Sequence, residues 1–149
     1  MTNNILNDLS GIQMLKNLNA GIFKENSICK TDYFDGLPNL EYLDLSYNKL
    51  RVIERSNIGL LPLLKSLLLD FNYLKVINGF SKITSLCYFS IESNKITEYS
   101  GIERLTELEN LKELNLTNNP IQKNYNYRQI MCRRFIYLSK LDLIVSVES

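Results

Sequence analysis

Apolar residues recur along this chain in one fixed arrangement that ends on an asparagine. Residues 40–50, LEYLDLSYNKL, follow the pattern L-x-x-L-x-L-x-x-N-x-L without a departure. The pattern returns over residues 64–74, 86–96 and 111–121, and an eroded copy over residues 18–28 carries Gly21 in its second apolar position. The aligned asparagines are spaced by 22, 24, 22 and 25 residues: Asn26, Asn48, Asn72, Asn94 and Asn119. Copies that stay in phase over most of the chain predict a repeat architecture.

Each copy predicts a short strand followed by an inward turn. Because residues of a strand alternate between its two faces, the first, fourth and sixth positions of the pattern are expected to point into the core. Strands of neighbouring copies would then lie side by side in a parallel sheet. An asparagine side chain both donates and accepts hydrogen bonds, so the aligned asparagines are predicted to be structural residues that satisfy buried backbone groups of adjacent turns.

This period and consensus resemble those of the leucine-rich repeat family. The resemblance implies an α/β solenoid of about five repeats, with a parallel concave sheet, short helices or turns on the convex side and a helical C-terminal cap. Residues 1–149 are expected to form a single domain. Within it we assign residues 1–17 to an N-terminal cap or partial repeat, residues 18–121 to the repeats and residues 122–149 to the C-terminal cap.

The segments between strands carry apolar residues that are expected to pack beneath the sheet: Val52, Ile53, Ile58, Leu61, Val76, Ile77, Phe80, Ile83, Ile102, Leu105 and Leu108. The last three have helical spacing, and Ser100 is placed to cap the short helix predicted over residues 100–110. Near the N-terminus, Leu9, Ile12 and Leu15 predict a helical turn that shields the first repeat, since a solenoid end exposes apolar surface. The alternative is a truncated repeat of a larger protein.

After residue 121 the repeat pattern changes. Residues 124–137 place five side chains at helical spacing: Tyr127, Ile130, Met131, Arg134 and Phe135. The core pattern of leucines is then expected to resume at Leu138, Leu141 and Leu143. The pairs Asn119-Pro120, Tyr127-Arg128 and Leu141-Asp142 resemble the C-terminal cap of intracellular leucine-rich repeat proteins, although Tyr137 stands where that cap has a proline. Similar caps belong to a regulatory subunit of protein phosphatase 1, the spliceosomal A-prime protein and the outer-arm dynein light chain.

Composition argues against catalysis. The chain has no histidine, and Cys29, Cys87 and Cys132 are scattered, so neither a thiolate–imidazole pair nor a zinc site is expected. Glycine-rich nucleotide-binding motifs are absent from the sequence. We therefore predict that the protein is not an enzyme and that it uses no cofactor and no metal.

The net charge limits the kinds of binding partner, and the hydropathy and cysteine content indicate the cellular compartment. The 17 basic and 16 acidic residues give a net charge of +1, so strong general attraction to nucleic acid or membranes is not expected. The sequence has no apolar run of spanning length and no secretory signal at its start. Scattered cysteines are typical of free thiols in a reducing compartment. These features predict a cytoplasmic protein, with a ciliary or nuclear location as alternatives.

Strand positions that alternate with the core residues are expected to face solvent, on the concave side that the family uses for binding. Aromatic and apolar residues cluster there in the middle repeats, beside carboxylates. The predicted partner-binding residues are Tyr42, Asp44, Ser46, Tyr47, Leu68, Asp70, Phe71, Tyr88, Glu92 and Glu113. Aromatic anchors with a charged rim are typical of protein-binding surfaces. The alternative is that tyrosines simply suit a strand surface.

The acidic rim predicts a partner protein with a basic or aromatic segment. Basic residues collect instead on the C-terminal cap, as a solvated helix face or a second contact: Lys123, Arg128, Arg133, Arg134 and Lys140. We predict a non-enzymatic protein–protein interaction module with no small-molecule substrate and no membrane partner. The resemblance implies as alternatives a phosphatase regulatory subunit, a ribonucleoprotein component, or a structural part of a cilium or axoneme.

Overall fold

A single sheet runs the length of the molecule. The computed structural model describes residues 5–53, 58–78, 80 and 83–145, so the ends of both predicted caps, residues 1–4 and 146–149, lie outside the described residues. The strands follow one another in chain order: β1 Ala20–Ile22, β2 Tyr42–Asp44, β3 Ser66–Leu68, β4 Tyr88–Ser90, β5 Glu113–Asn115, β6 Lys140–Leu141 and β7 Ile144–Val145. The first six are parallel, and β7 turns back antiparallel to β6.

The parallel register follows the repeat. Leu43 pairs with Gly21 on one side and with Leu67 on the other, and Leu67 pairs in turn with Phe89. Every residue at the first, fourth and sixth positions of the second to fifth copies is buried. The prediction of a parallel sheet with this face in the core is therefore confirmed.

The first copy keeps its strand although it lacks the second core leucine. A Cβ atom on Gly21 would lie 2.7 Å from the ring of Phe23 and 3.4 Å from Leu43. The phenylalanine ring therefore occupies the space that a leucine or phenylalanine fills at the equivalent position of the other repeats. It packs edge-on against Phe34, with the ring centroids 6.4 Å apart.

The return segments form 3₁₀ helices: Ile12–Met14, Phe34–Gly36, Ile58–Leu60, Tyr99–Gly101, Glu103–Glu107 and Pro120–Lys123. The helix predicted over residues 100–110 is thus two short helices, and Ser100 lies inside the first without capping it. The reason is the spacing of the buried residues Ile102, Leu105 and Leu108. They stand three apart, and each N–H bonds to the carbonyl three residues earlier, which is the 3₁₀ pattern.

Not all of the predicted anchors are buried. Val52, Val76 and Leu15 are exposed, whereas Ile53, Ile77 and the remaining anchors pack in the core. Val52 and Val76 each immediately precede a buried isoleucine, outside the helices and strands. The predicted N-terminal turn exists as the 3₁₀ helix at Ile12–Met14, and it buries Leu9 and Ile12.

The only α-helix of the described residues is α1, Tyr127–Arg134. It is shorter than the predicted span of residues 124–137, and it buries Tyr127 and Met131 against the last repeats. Beyond it, Leu141 enters the core as part of β6, but Leu143 is exposed. Asp142 and Leu143 both have positive φ angles, 52° and 62°, because the chain reverses there to form β7. The expectation that Leu143 resumes the core pattern is wrong.

Candidate functional site

The aligned asparagines lie directly behind the strands and tie neighbouring repeats together. Asn48 donates from Nδ2 to the carbonyl oxygens of Phe23 and Leu45, both at 3.0 Å, and its Oδ1 accepts from the N–H of Ile28 at 3.0 Å. Asn72, Asn94 and Asn119 repeat this set of bonds one repeat further on. Asn26 lies at the open end, less buried, and accepts from the N–H of Leu6 at 3.1 Å. These side chains hold the turns in position and are not available to a partner.

Two of the predicted binding residues are also withdrawn from solvent. Asp44 is 7% exposed and Ser46 is 3% exposed, so neither offers the accessible surface expected of it. The Oδ1 atom of Asp44 accepts the N–H of Ser46 at 2.8 Å, which bends the carboxylate back onto its own strand end. A local hydrogen bond of this kind leaves no signal in the alternation of strand faces, from which both side chains are predicted to be accessible.

Two tyrosines lie on either side of a serine in the middle of the sheet. The register aligns Tyr42, Ser66 and Tyr88 on adjacent strands, so the Cα atoms of the two tyrosines lie two strand spacings apart, about 9.6 Å. The surface over Ser66, between the two tyrosines, is called the tyrosine recess. Ser66 between them is small, and half-buried Leu68 lies beside it on the same face. Burial chiefly, and then nearby carboxylates such as Asp70, raise the pKa of both tyrosines. At neutral pH the recess therefore presents neutral phenols.

Carboxylates border this recess on the side of the strand ends. The Oδ1 atom of Asp70 accepts from the hydroxyl of Ser90 at 2.6 Å and from the N–H of Glu92 at 2.7 Å. Burial raises the pKa of Asp70 above its ordinary value, while these two hydrogen bonds oppose the shift. The Glu92 carboxylate accepts from Asn115 Nδ2 at 3.2 Å. Hydrogen bonding thus fixes two negative groups at the edge of the recess.

The last predicted carboxylate is neutralised by a partner that the sequence analysis assigned elsewhere. Glu113 on β5 pairs in register with Lys140 on β6, and Lys140 Nζ lies 2.8 Å from Glu113 Oε1. The sequence instead predicts Lys140 as part of the basic cluster of the C-terminal cap. Residues 138–143, LSKLDL, repeat the opening L-x-x-L-x-L of the pattern, and this signal could have shown a sixth strand and hence the pair.

An exposed aromatic pair lies in the turns beyond the strands. Tyr47 and Phe71 stack with their ring centroids 4.2 Å apart and their planes 12° from parallel. The ammonium of Lys24 lies 5.1 Å from the centroid of the Tyr47 ring. The two rings are 43% and 40% exposed, more than any other predicted binding residue.

The C-terminal motif converges on one carboxylate. Asp142 accepts from the N–H of Leu116 at 2.7 Å and from Gln122 Nε2 at 3.0 Å. Burial, and then the charge of Asp142, raise the pKa of buried Tyr127 well above its usual range. Arg128 donates to the carbonyl oxygen of Leu141 at 3.3 Å. Tyr127, Arg128 and Asp142 thus close the end of the core, and this part of the basic cluster is structural.

No group of three or more metal-ligating side chains occurs in the described part of the chain. Its longest helix is α1 with 8 residues, and none of its helices is long and apolar enough to span a bilayer. Cys29, Cys87 and Cys132 are exposed free thiols.

Short parallel strands, 3₁₀ returns and an asparagine ladder define a leucine-rich repeat solenoid, and the chain belongs to the leucine-rich repeat family. Two leucine-rich repeat family models match it, over residues 29–74 and residues 107–124. Proteins of this kind act as protein-binding modules.

Among its relatives is a probable U2 small nuclear ribonucleoprotein A′ of Drosophila melanogaster, 33% identical over 108 residues, or 71% of this chain and 40% of that protein. Leucine-rich repeat-containing protein 23 of Bos taurus is 32% identical over 101 residues, or 67% of this chain and 29% of that protein. The chain therefore spans less than half the length of these relatives.

Solved structures share the architecture. The Drosophila melanogaster SNF/U2A′ complex contains a chain that superposes with a TM-score of 0.76 at 29% identity, covering 82% of this chain and 71% of that one. A leucine-rich repeat protein of Leptospira interrogans gives a TM-score of 0.76 at 24% identity, over 87% of this chain and 32% of its own, and shows the fold alone.

Proposed function

We propose that the protein is a non-enzymatic module that binds a partner protein through the solvent face of its sheet. The observation that carries this proposal is the recess between Tyr42 and Tyr88, which is floored by Ser66 and bordered by Leu68. The two tyrosine backbones are about 9.6 Å apart with only a serine between them, which leaves room for one inserted side chain of a partner. Large aromatic residues are frequent anchors of protein interfaces.

The charge of the face selects the kind of partner. Asp70 and Glu92 border the recess, while Glu113 is compensated by Lys140. A net negative border favours a basic segment of the partner and accelerates its association at low salt. The binding is therefore expected to weaken as the salt concentration rises.

A photocrosslinking experiment tests the location of the face. A benzophenone amino acid replaces Ser66 at the floor of the recess, or Val52 on the exposed return segment as the control. After irradiation in a lysate of the source organism, we expect a discrete crosslinked protein from position 66 and not from position 52. Crosslinks from position 52 alone would place the binding surface on the return side.

Matched variants separate binding from folding. Tyr88→Ala opens the recess and should abolish capture of the crosslinked partner, whereas Tyr125→Ala removes an 89% exposed tyrosine of the C-terminal cap and should not. Circular dichroism confirms that both variants remain folded. Equal capture by both variants would refute the role of the tyrosine recess.

A second candidate function is a ribonucleoprotein subunit. The similarity to the U2 A′ protein over 71% of the chain, and to a chain of the SNF/U2A′ complex, favours it. In this case the crosslinked partner would be a protein of a ribonucleoprotein particle, and it would stay bound after ribonuclease treatment. The phosphatase and ciliary interpretations remain predictions that partner identity would decide.

A further inference from the structure

Two bulky rings occupy a backbone position that normally excludes them. The residue before each ladder asparagine has a positive φ angle in every repeat, 56° at Tyr47 and 53° at Phe71. The equivalent residues in the other repeats are Glu25, Ser93 and Asn118. Large L-residues rarely adopt this left-handed conformation, and such residues cluster where function requires them. Because this conformation recurs in every repeat, it belongs to the fold, and the second and third repeats are distinguished by the exposed aromatic ring that each carries there.

The rings form a stack that stops at the fourth repeat. The N–H of Tyr47 bonds to the carbonyl oxygen of Asp70 at 2.8 Å, and the N–H of Phe71 bonds to that of Glu92 at 2.9 Å, so the backbone fixes the spacing of the rings. Lys24 of the first repeat lies over Tyr47, and Tyr47 lies on Phe71. The next turn carries Ser93, whose side chain is too short to continue the stack. Among the described residues, Tyr47 is the only aromatic residue whose ring stacks on Phe71.

Two carboxylates directly precede Phe71 and Ser93 in the chain. Glu92 precedes Ser93, and its two carboxylate oxygens lie 3.2 Å from Asn115 Nδ2 and 3.5 Å from Asn118 Nδ2. Asp70 precedes Phe71 in the chain. This arrangement attracts a cation and repels a phosphate, so the position above Ser93 suits a basic protein side chain better than a nucleic acid.

We propose that the position above Ser93 binds an arginine of the partner protein, with its guanidinium stacked on Phe71 and paired with the Glu92 carboxylate. The inference rests on the proposed protein-binding function and names one element of the partner. Arginine fits better than lysine because its planar guanidinium can stack on a ring and offer several donors to a carboxylate at once. It would extend the column of Lys24, Tyr47 and Phe71 by one layer.

Binding of synthetic peptides tests this assignment without a known partner. Three peptides share a Gly-Ser-Xaa repeat in which Xaa is arginine, lysine or citrulline, and each is titrated to millimolar concentration against the protein labelled with ¹³C in its phenylalanine rings. We expect the arginine peptide to bind more tightly than either of the others and to shift the Phe71 ring signals. Phe71→Leu should weaken its binding about threefold to tenfold by removing the cation–π contact.

Two further variants test whether binding depends on the charge of Glu92 and on the position of the aromatic ring. Glu92→Gln preserves the shape of the carboxylate and should weaken arginine binding at low salt but have little effect at high salt. Tyr125→Leu removes an aromatic ring that is 89% exposed in the C-terminal cap and should leave the affinity unchanged. The proposal is overturned if the three peptides bind equally or not at all, or if Phe71→Leu binds as the unsubstituted protein does.

Other outcomes separate this inference from the proposed function. If oligouridylate shifts the Phe71 signals and the arginine peptide does not, the stack is a nucleic-acid platform and the proposal is wrong. If partner capture requires Tyr88 but is unaffected by Phe71→Leu, the protein-binding face stands and the arginine site fails. If Tyr88→Ala leaves capture intact while the arginine peptide still requires Phe71, the proposed function fails and the site remains.

Discussion

Replacing Asn72 with alanine isolates the contribution of one ladder side chain to stability. Asn72 is 3% exposed, and its Oδ1 atom accepts the N–H of Leu50 at 2.9 Å. Its Nδ2 atom donates to the carbonyl oxygens of Leu45 and Leu69, both at 3.0 Å, and of Asp70 at 3.2 Å. The substitution deletes all of these hydrogen bonds and introduces no new group.

The expected cost follows from which backbone groups keep another partner. The carbonyl oxygen of Leu45 still accepts from Asn48, and that of Leu69 still accepts from Asn94. Among the described residues, the N–H of Leu50 has no hydrogen-bond acceptor other than Asn72, and Leu50 is fully buried. One stranded buried donor costs about 1–3 kcal/mol. For a chain of this size, a loss of about 2 kcal/mol lowers the Tm by about 4–8 °C.

Urea denaturation followed by circular dichroism measures this loss, because the chain has no tryptophan to serve as a fluorescent probe. Asn26→Ala is the matched control, since Asn26 makes similar bonds at the less buried first repeat and should cost less, about 0.5–1 kcal/mol. The m-value must stay constant for the comparison to hold. Equal losses for the two variants would show that burial of the ladder does not set its energetic weight.

Three further predictions concern the core, the acidic border and the last strand pair. Leu67→Ala should destabilise the protein by about 2–5 kcal/mol, measured by the same denaturation, because the side chain is fully buried and leaves a cavity. The raised folded-state pKa of Asp70 means that its burial penalty grows as pH rises above the ordinary value of 3.8. Asp70→Asn should therefore gain stability relative to the unsubstituted protein between pH 4 and neutrality, and a constant difference would contradict this. A double-mutant cycle on Glu113 and Lys140 should give a coupling below about 1 kcal/mol, since both side chains are solvated.

The structural features that recur in each repeat could be predicted from the sequence. The apolar pattern placed Leu43, Leu67 and Phe89 in the core and aligned them as partners, because a strand alternates its faces and equivalent residues of a solenoid meet. The helical cap was predicted, and Tyr127 and Met131 of the predicted helix are buried, but Ile130 is half-buried, Arg134 is exposed and the predicted ends were too wide. The ends of helices and strands are set by local backbone geometry, such as the chain reversal at Asp142. This geometry leaves no periodic signal in the sequence.

The candidate site was predicted less well, because accessibility depends on neighbours rather than on pattern. Asp44 and Ser46 occupy outward positions of the repeat pattern, yet both are buried. The Asp44 carboxylate accepts the N–H of Ser46, two residues later in the chain. Glu113 is predicted as part of an acidic rim, but β6 places Lys140 beside it. The stacking of Tyr47 on Phe71 needed the positive φ angles of the turns, which the identity of these residues gave no reason to expect.

The reversal at Asp142 and Leu143 gives the array a direction of growth. The outer edge of β1 has the direction of the parallel array, whereas β7 presents an edge of the opposite direction. A further repeat strand would therefore pair in parallel at β1 but would meet an antiparallel edge at β7. Thermal fraying should also be one-sided, so amide protons near Ala20–Ile22 should exchange with solvent before those near Glu113–Asn115.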